Sequence, residues 1–436
     1  MSKSEAAQLL DTLTNVAAGL GTDKDKRSYS RFAFSDVSDA ELEAMYLSDW
    51  LSAAIVDIPV NDMTRKWREY SAPSLDDDQI KQLKTAEQKI LLRPKVVDAE
   101  KWARLYGGAV ILMGVENTGE PHEPLELDNV KEGSLKFLRV LDKQFIQPSD
   151  INTSNPMDAS FLMPQTYSIN GVKVHESRVL RFDGRRLPQK LMQTNNYWGA
   201  SHLRTAYEQI VDAQSANHTI ASLLFESKLD VISIPRLTEL LSSPEGSDSL
   251  IARFRLADTI KSVNNSLLLD SQEKFERKAT NFGGISDVQK NFMLVSSAAA
   301  RIPATRLYGQ AAQGLNASGE GQKDDYYDMI SSAQNDDLRP PLDKFDEVFL
   351  RSELGEVPDD WSYTFPPLDQ LDELEQAQVD KANAETAAIY TGIGAIDQTV
   401  VVKQLQDQGT YEAIDDEYVA LLEGISQTTA VGEGLD

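Results

Sequence analysis

The chain has 436 residues, 41% of them hydrophobic and 26% charged, a composition typical of a folded protein rather than a disordered one. Its 43 lysines and arginines against 69 aspartates and glutamates give a formal net charge of −26, whereas proteins that read DNA sequence usually carry a basic patch. It has no cysteine, which excludes disulfides, thiol catalysis and cysteine-ligated metals, and no stretch approaches the ~20 apolar residues of a membrane span.

Residues 1–35 are predicted to form a loosely attached arm ahead of the folded part of the chain. The first clear helix begins at Ser38, which together with Glu41 fits a capping box. Pro59 is predicted to end this helix, because proline interrupts helical hydrogen bonding. Two more helices and an apolar strand, residues 109–115, follow.

The pattern changes to strands between residues 135 and 183. Asn170 and Gly171, flanked by alternating apolar residues, are the preferred pair for a two-residue hairpin turn. Residues 36–200 are therefore predicted to form an α+β domain with helices on an antiparallel sheet.

A long helix is predicted over residues 201–228, where apolar or small side chains recur at alternating steps of three and four. Its stripe is narrow and includes Asn217, which favours packing against one or two helices over burial in a thick core. A compact strand–helix–strand insertion is predicted over residues 229–285. A second helix, residues 286–303, then presents an apolar face that includes Phe292.

A glycine-rich loop, residues 304–322, comes next. Its glycine spacing fits neither the P-loop nor the dinucleotide-binding fingerprint, so no phosphate cofactor is predicted. Asp324 and Asp328 of the following helix share a face and could hold a cation, but aspartate is also favoured in any first helical turn, and we prefer that interpretation. The four histidines show no catalytic or metal-binding spacing. We therefore predict no cofactor, no metal and no catalytic residue.

The end of the chain is predicted to be mostly helical. Pro340 and Pro341 fall inside a helical pattern that follows the loop, which predicts a kink there. A short strand closes residues 323–368, and residues 369–436 are helical, acidic and end in a soft tail.

Several segments resemble the portal protein of tailed bacteriophages, and more narrowly a portal family formerly catalogued as a domain of unknown function. The resemblance covers about residues 40–370 and includes residues 103–115, 176–188 and 197–210. Its densest part contains Ile302, Pro303, Arg306, Leu307, Gly309, Gly314, Leu315, Asn316, Ser318, Gly319, Glu320, Tyr326, Tyr327, Gln334 and Leu338.

This resemblance implies a portal-type fold assembled as a ring, usually of about twelve subunits, around a channel for double-stranded DNA. It places each part of the chain in that architecture: 1–35 an N-terminal arm, 36–200 the wing, 201–228 the first stem helix, 229–285 the clip, 286–303 the second stem helix, 304–322 the tunnel loop, 323–368 the kinked helix and the strand that returns to the wing, and 369–436 the crown and C-terminal tail.

The resemblance also implies partners and sites. The ring would dock the terminase large subunit and then the head–tail adaptor through Leu250, Arg253, Arg255 and Lys261 of the clip. Neighbouring stems would pack through Leu203, Ile210, Asn217, Leu224, Val288, Phe292 and Val295. Major capsid and scaffolding proteins are further expected partners. The expected location is the capsid portal vertex of the virion, after assembly in the host cytoplasm and without a membrane.

The tunnel loop is expected to face the DNA without gripping it, because each phosphate–cation contact would add affinity and friction. Arg306 and Lys323 are the only cations expected to contact phosphate. The residues expected to line the channel are Gln310, Gln313, Gly314, Asn316, Ser318, Gly319, Glu320 and Lys323.

Two other functions stay open at this point. One is a metal-dependent phosphoesterase that uses Asp324, Asp325 and Asp328, and the other is a monomeric scaffold or adaptor. Some relatives of the portal family carry an appended phosphoesterase with two His-x-Thr motifs, but none of the four histidines here begins such a motif.

Overall fold

The structure, a computed structural model, describes residues 37–226, 228–233, 248–252, 255, 274–279, 284–309, 320–369, 373–407, 418, 419 and 422. The chain divides into two compact units, residues 1–368 and residues 369–436. The predicted N-terminal arm lies outside the described residues. Among the helices of the described ranges, none combines the length and the apolar character that a bilayer crossing requires.

Four helices open the first unit: α1 Asp39–Ser48, α2 Trp50–Arg65, α3 Asp77–Ile90 and α4 Leu92–Tyr106. The side chain of Ser38 accepts a hydrogen bond from the backbone N–H of Glu41, so the predicted N-terminal cap of α1 is confirmed. Asp49 separates α1 from α2, and its side chain caps α2 by accepting a hydrogen bond from the backbone N–H of Ser52.

The prediction that Pro59 ends a helix is wrong, because α2 continues through Pro59 to Arg65. A proline inside a helix leaves the carbonyl four residues earlier without its usual donor. Here that carbonyl belongs to Ile55, and the buried Arg104 of α4 donates to it through Nη2 at 3.2 Å. A tertiary contact therefore replaces the missing helical hydrogen bond.

Strands from residues 69–183 and 362–364 form three sheets in this unit, and every strand pairing within them is antiparallel. One sheet has the order β3-β2-β7, a second β4-β5-β6, and the third joins β1 to β10. Their strands are β1 Glu69–Ser71, β2 Gly108–Val115, β3 Leu135–Asp142, β4 Ile146–Ile151, β5 Pro164–Ile169, β6 Val172–His175, β7 Val179–Asp183 and β10 Ser362–Thr364.

The hairpin between β5 and β6 turns at Asn170 and Gly171, as predicted. Both residues have positive φ, 48° and 85°, and Ile169 faces Val172 across the turn. A two-residue turn of this kind requires positive φ at both positions, which asparagine and glycine tolerate best.

Two long helices follow, α6 Leu203–Glu226 and α7 Ile285–Ala300, after a short helix, α5 Gln189–Thr194. α6 and α7 pack against each other, and the chain between them includes an antiparallel pair of strands, β8 Lys228–Ser233 and β9 Lys274–Ala279. These strands and the helical positions 248–252 and 255 are the described parts of the predicted insertion, whereas residues 234–247, 253, 254, 256–273 and 280–283 lie outside the described residues.

After α7 come α8 Ala304–Tyr308, α9 Glu320–Ala333 and α10 Arg339–Leu354. A single π-helical turn, Gln334–Leu338, joins α9 to α10 directly before Pro340 and Pro341. Prolines at the first positions of α10 cannot donate to the preceding turn, so a widened turn accommodates them. The kink predicted from these two prolines coincides with this π-helical turn.

The main core gathers side chains from α1–α4, β2, β3, β7, the first half of α6, and α8–α10. Phe345 and Phe349 of α10 stack at its centre, with ring centroids 5.1 Å apart. The second unit contains α11 Glu373–Gly392 and α12 Gln398–Asp407, and the described side chains of α11 are mostly exposed.

Candidate functional site

Most of the tunnel loop predicted from sequence lies outside the described residues. This applies to Gln310, Gln313, Gly314, Asn316, Ser318 and Gly319. Glu320 is the first residue of α9, and Lys323 lies in its first turn. The ends of the segment 310–319 are well described. α8 ends at Gly309, which adopts a positive φ of 67°, and α9 begins immediately after the segment.

The two helices that border this segment meet at one buried carboxylate on α2. Asp62, only 1% exposed, accepts hydrogen bonds from Nη2 and Nε of Arg306 at 2.7 and 3.2 Å. It also accepts one from the hydroxyl of Tyr326 at 2.9 Å. Burial, and then the neighbouring Asp62 carboxylate, raise the pKa of Tyr326, so its hydroxyl stays protonated and donates.

The rest of the last turn of α2 makes further contacts with the chain that follows the segment. Gln334, buried in the π-helical turn, donates to the backbone carbonyl of Met63 at 2.7 Å. The guanidinium of Arg65 lies 5.6 Å from the ring centre of Tyr327. The C-terminal end of α2, where helical carbonyls lack partners, is thus a platform for this region.

Arg306 was predicted to be available for phosphate contact, but the hydrogen bonds to Asp62 engage its guanidinium and raise its pKa. Lys323 is exposed, and its ammonium lies 5.6 Å from the ring centre of Tyr327. Asp324, Asp325 and Asp328 are exposed in the first turns of α9. Within the described ranges, no group of three or more histidine or acidic side chains could hold a metal ion.

A second buried ionisable group lies close to this platform. Glu100 of α4 is buried, and its Oε2 has no hydrogen-bond partner within the part of the chain that the structure describes. Burial and the Asp337 carboxylate raise the pKa of Glu100 to about 8, against the opposing effect of Arg104. Glu100 is therefore mainly protonated at neutral pH.

The residues predicted to pack between stems fall into two groups. Leu203 and Ile210 lie in the chain's own core, so they are not available to another copy. Val288 and Val295 are 53% and 46% exposed, Asn217 is exposed, and Phe292 is half-buried. Leu224 belongs to α6, but its side chain is not among those described.

Of the predicted clip residues, Leu250 and Arg255 lie in described helical positions. Leu250 is half-buried and Arg255 is exposed. Arg253 and Lys261 lie outside the described residues.

Sequence reasoning missed Asp62 and Met63 altogether. Asp62 lies 244 residues before Arg306 and 264 before Tyr326, so no local pattern links them. A signal was present in the resemblance, since Arg306, Tyr326 and Gln334 all belong to its densest part. These three polar residues contact α2 and hold the loop's borders.

Comparison with known proteins decides the family. A family model described as phage portal protein matches residues 40–389. The chain belongs to the phage portal protein family. The predicted portal-type α+β fold is confirmed. Over the matched residues the family is a structural one with a portal, or head–tail connector, role, as predicted.

Two curated relatives carry the name anti-CBASS protein Acb1. The one from Caulobacter sp. (strain RHG1) is 37% identical over 400 residues, 88% of this portal-family chain and 63% of the relative. The one from Sphingomonas paeninsulae is 33% identical over 432 residues, 95% of this chain and 68% of the relative. The chain thus spans about two thirds of their length.

A solved structure of the neck of an empty GTA particle, computed with C6 symmetry, contains a chain of similar fold. Its TM-score is 0.50 at 13% identity, and the likeness covers 86% of this chain and 95% of that one. At this identity the likeness is one of fold alone.

Proposed function

We propose that copies of this chain form a ring, of about twelve subunits, at one capsid vertex, through which double-stranded DNA is packaged and later ejected. The family match over residues 40–389 carries this proposal. The neck of the GTA particle was computed with C6 symmetry, which supports a ring for that protein. The similar fold supports a ring for this chain too.

The exposed apolar side chains of the two long helices support assembly. Val288, Leu294 and Val295 of α7 are each about half exposed, and Val211 and Leu223 of α6 are also exposed. Apolar side chains gathered along one pair of helices are typical of a surface that another protein chain covers. In a ring, each stem would bury them against a neighbouring stem.

The mass of the particle tests the ring. Mass photometry should give about twelve times the 48.4 kDa of one chain. A chain that stays monomeric or dimeric at micromolar concentration would contradict the ring and favour the scaffold or adaptor. A ring whose subunit number is slightly different would still support the portal.

We further propose that residues 310–319, with Glu320 and Lys323, line the channel as a weakly binding surface. The arginine nearest to this segment in sequence, Arg306, is engaged by Asp62, which leaves fewer cations to bind phosphate. The net charge of −26 per chain, repeated around a ring, further disfavours tight binding of DNA.

Deletion of residues 310–321 should leave ring assembly intact and block the filling of heads with DNA. The control replaces residues 310–321 by a glycine–serine segment of equal length. It separates the effect of chain length from that of the natural side chains, because it keeps the first and removes the second. A second variant, Q310K/Q313K/N316K, should slow packaging by adding phosphate contacts, and more so at low salt. Normal packaging by both the deletion and the lysine variant would remove this segment from the mechanism.

The clip is the proposed docking surface for the terminase large subunit and later for the head–tail adaptor. Leu250, Arg253, Arg255 and Lys261 combine an apolar side chain with three cations in an otherwise acidic chain. Reversal of charge in R253E/R255E should weaken binding of the purified terminase subunit to assembled rings, with R139E, an exposed position of the wing, as control. Equal binding by both variants would contradict this assignment.

The wing and crown are proposed to contact the major capsid and scaffolding proteins during assembly in the host cytoplasm. Co-expression with those proteins, followed by a count of procapsids that contain the ring, tests this step.

A further inference from the structure

The last turn of α2 is joined to both helices that border residues 310–319. Asp62 accepts two hydrogen bonds from Arg306 of α8 and one from Tyr326 of α9. One carboxylate therefore receives donors from each side of the segment, and no second carboxylate is needed to hold either border.

Burial makes the Asp62 carboxylate depend on these hydrogen bonds. The side chain of Asp62 is 2% exposed, whereas that of Arg306 is 48% exposed. A carboxylate removed from water depends on protein donors, and a guanidinium that donates twice fixes both its distance and its orientation. Loss of Arg306 would leave the buried carboxylate with Tyr326 alone, so each border of the segment influences the other through Asp62.

Neighbouring contacts act in the same sense. Gln334 donates to the carbonyl of Met63 at 2.7 Å, and Arg65 lies over the ring of Tyr327. Gln334 and Tyr327 both follow the segment, so α9 and the π-helical turn after it contact α2 through three side chains, those of Tyr326, Tyr327 and Gln334. α8 is attached mainly by Arg306, together with the buried Leu307 and an edge-to-face contact of Tyr308 with Trp50.

We infer that Asp62 is the positioning residue for the candidate channel segment: it holds α8 and α9 at once and so fixes the separation of residues 309 and 320. The inference rests on the proposed function only for what the segment does. The positioning concerns α8 and α9, and it applies to the chain in any oligomeric state.

Because the chain has no cysteine, two introduced cysteines give an unambiguous pair of labels. Thr305 of α8 and Gln322 of α9 are exposed, and T305C/Q322C can carry nitroxide spin labels whose separation is measured by pulsed electron paramagnetic resonance. Dilution with unlabelled chains restricts the measured distances to those within one chain.

With the natural Asp62, we expect one narrow distance peak. D62N and R306Q should each lose that single narrow peak, because α8 is released from α2. The matched control is D57N on the same helix, which breaks an ion pair with Lys101 and a hydrogen bond from Tyr46, both 3.1 Å. Asp57 has no hydrogen bond or ion pair with the described residues of α8 or α9. R306K keeps the charge and should recover part of the narrow peak.

Since Arg306 is half exposed, R306Q should fold even if D62N does not. The inference is overturned if the distance distribution of folded R306Q, and that of D62N where it folds, match that of D57N. Failure of the proposed function would have a different result, namely a chain that forms no ring in mass photometry whatever the label distances show.

Discussion

The two ends of helix α6 have different surroundings. Leu203, Ala206, Ile210 and Ala213 are buried in the main core, whereas Leu223, near the other end, is 40% exposed. Its partner α7 shows the same contrast, because Ser296 and Ser297 near its C-terminus are buried and Val288 near its start is exposed. One end of the helical pair is therefore packed into the main core, whereas apolar side chains are exposed towards its other end.

The ion cluster around Arg68, by contrast, is buried and is satisfied by side chains of the same chain. Arg68 is fully buried and bonds Glu87 at 2.9 Å and Asp346 at 2.8 Å, with Tyr363 facing its guanidinium at 4.9 Å. Trp361 donates a further hydrogen bond to Asp346 at 3.0 Å. The comparison indicates that the Arg68 cluster needs only contacts within one chain, whereas α6 and α7 expose apolar side chains that we propose other copies cover.

The largest expected effect on folding comes from breaking the buried ion cluster around Arg68. Arg68→Ala leaves Glu87 and Asp346 buried without their shared cation, which should cost about 3–5 kcal/mol of the free energy of unfolding. Urea unfolding at one protein concentration measures the loss. Arg139→Ala removes an exposed arginine from the same unit and should change the free energy of unfolding by less than about 0.5 kcal/mol.

A pH-dependent effect, smaller within any one pH unit, is expected at Glu100. Its pKa is about 8 in the folded chain against the ordinary 4.5, so the folded state keeps a proton that the unfolded state releases between these values. The stability contributed by the protonated group is fully present below about pH 4.5 and is lost as the pH rises to about 8, with a slope of up to about 1.4 kcal/mol per pH unit.

Glu100→Gln replaces the protonated acid by a neutral amide of the same shape and should flatten the stability profile between pH 5 and 8. Thermal unfolding in a buffer series measures the profile. Glu116→Gln is the control, because Glu116 is exposed beside Lys136 and should leave the slope unchanged. An equally steep profile in Glu100→Gln would show that the ionisation of another group dominates.

The smallest effect on folding is expected at Val295 of α7. The same substitution is expected to have a large effect on ring assembly. Val295→Asp places a charge at a position that is 46% exposed in the single chain, so stability should change by only about 0.5 kcal/mol. If the stems pack side by side, the same charge would be buried at the interface and rings should be lost. Val172→Asp, at an exposed valine of the β5–β6 hairpin, should assemble normally. Rings formed by Val295→Asp would place the contact between copies elsewhere.

Local chemistry in the sequence predicted many elements correctly. Ser38 begins a helix, Asn170 and Gly171 make a hairpin, and Pro340 follows an irregular turn because each effect acts within a few residues. The error at Pro59 has the opposite origin, since its cost is offset by an arginine 45 positions later in the chain, and no local pattern shows that.

The tunnel loop stays a prediction, because residues 310–319 lie outside the described residues. Arg306 and Tyr326 at its borders belong to the resemblance, but the residue that contacts both of them, Asp62, lies inside an ordinary helical stretch. Its partners are distant in sequence, so only the folded chain brings them together. Leu203 and Ile210 were predicted to pack between copies, but they lie in the chain's own core. A regular apolar stripe predicts a buried helix face without showing which chain covers it.

The hydrogen bond from Arg104 to the carbonyl of Ile55 links the evolution of two distant positions, residue 59 and residue 104. As long as residue 59 is proline, a substitution of Arg104 orphans a buried carbonyl, so the two positions should change together. An alanine at residue 59 would restore the ordinary helical bond to Ile55, and position 104 would then be free of this requirement. If so, positions 59 and 104 should covary among portal protein sequences.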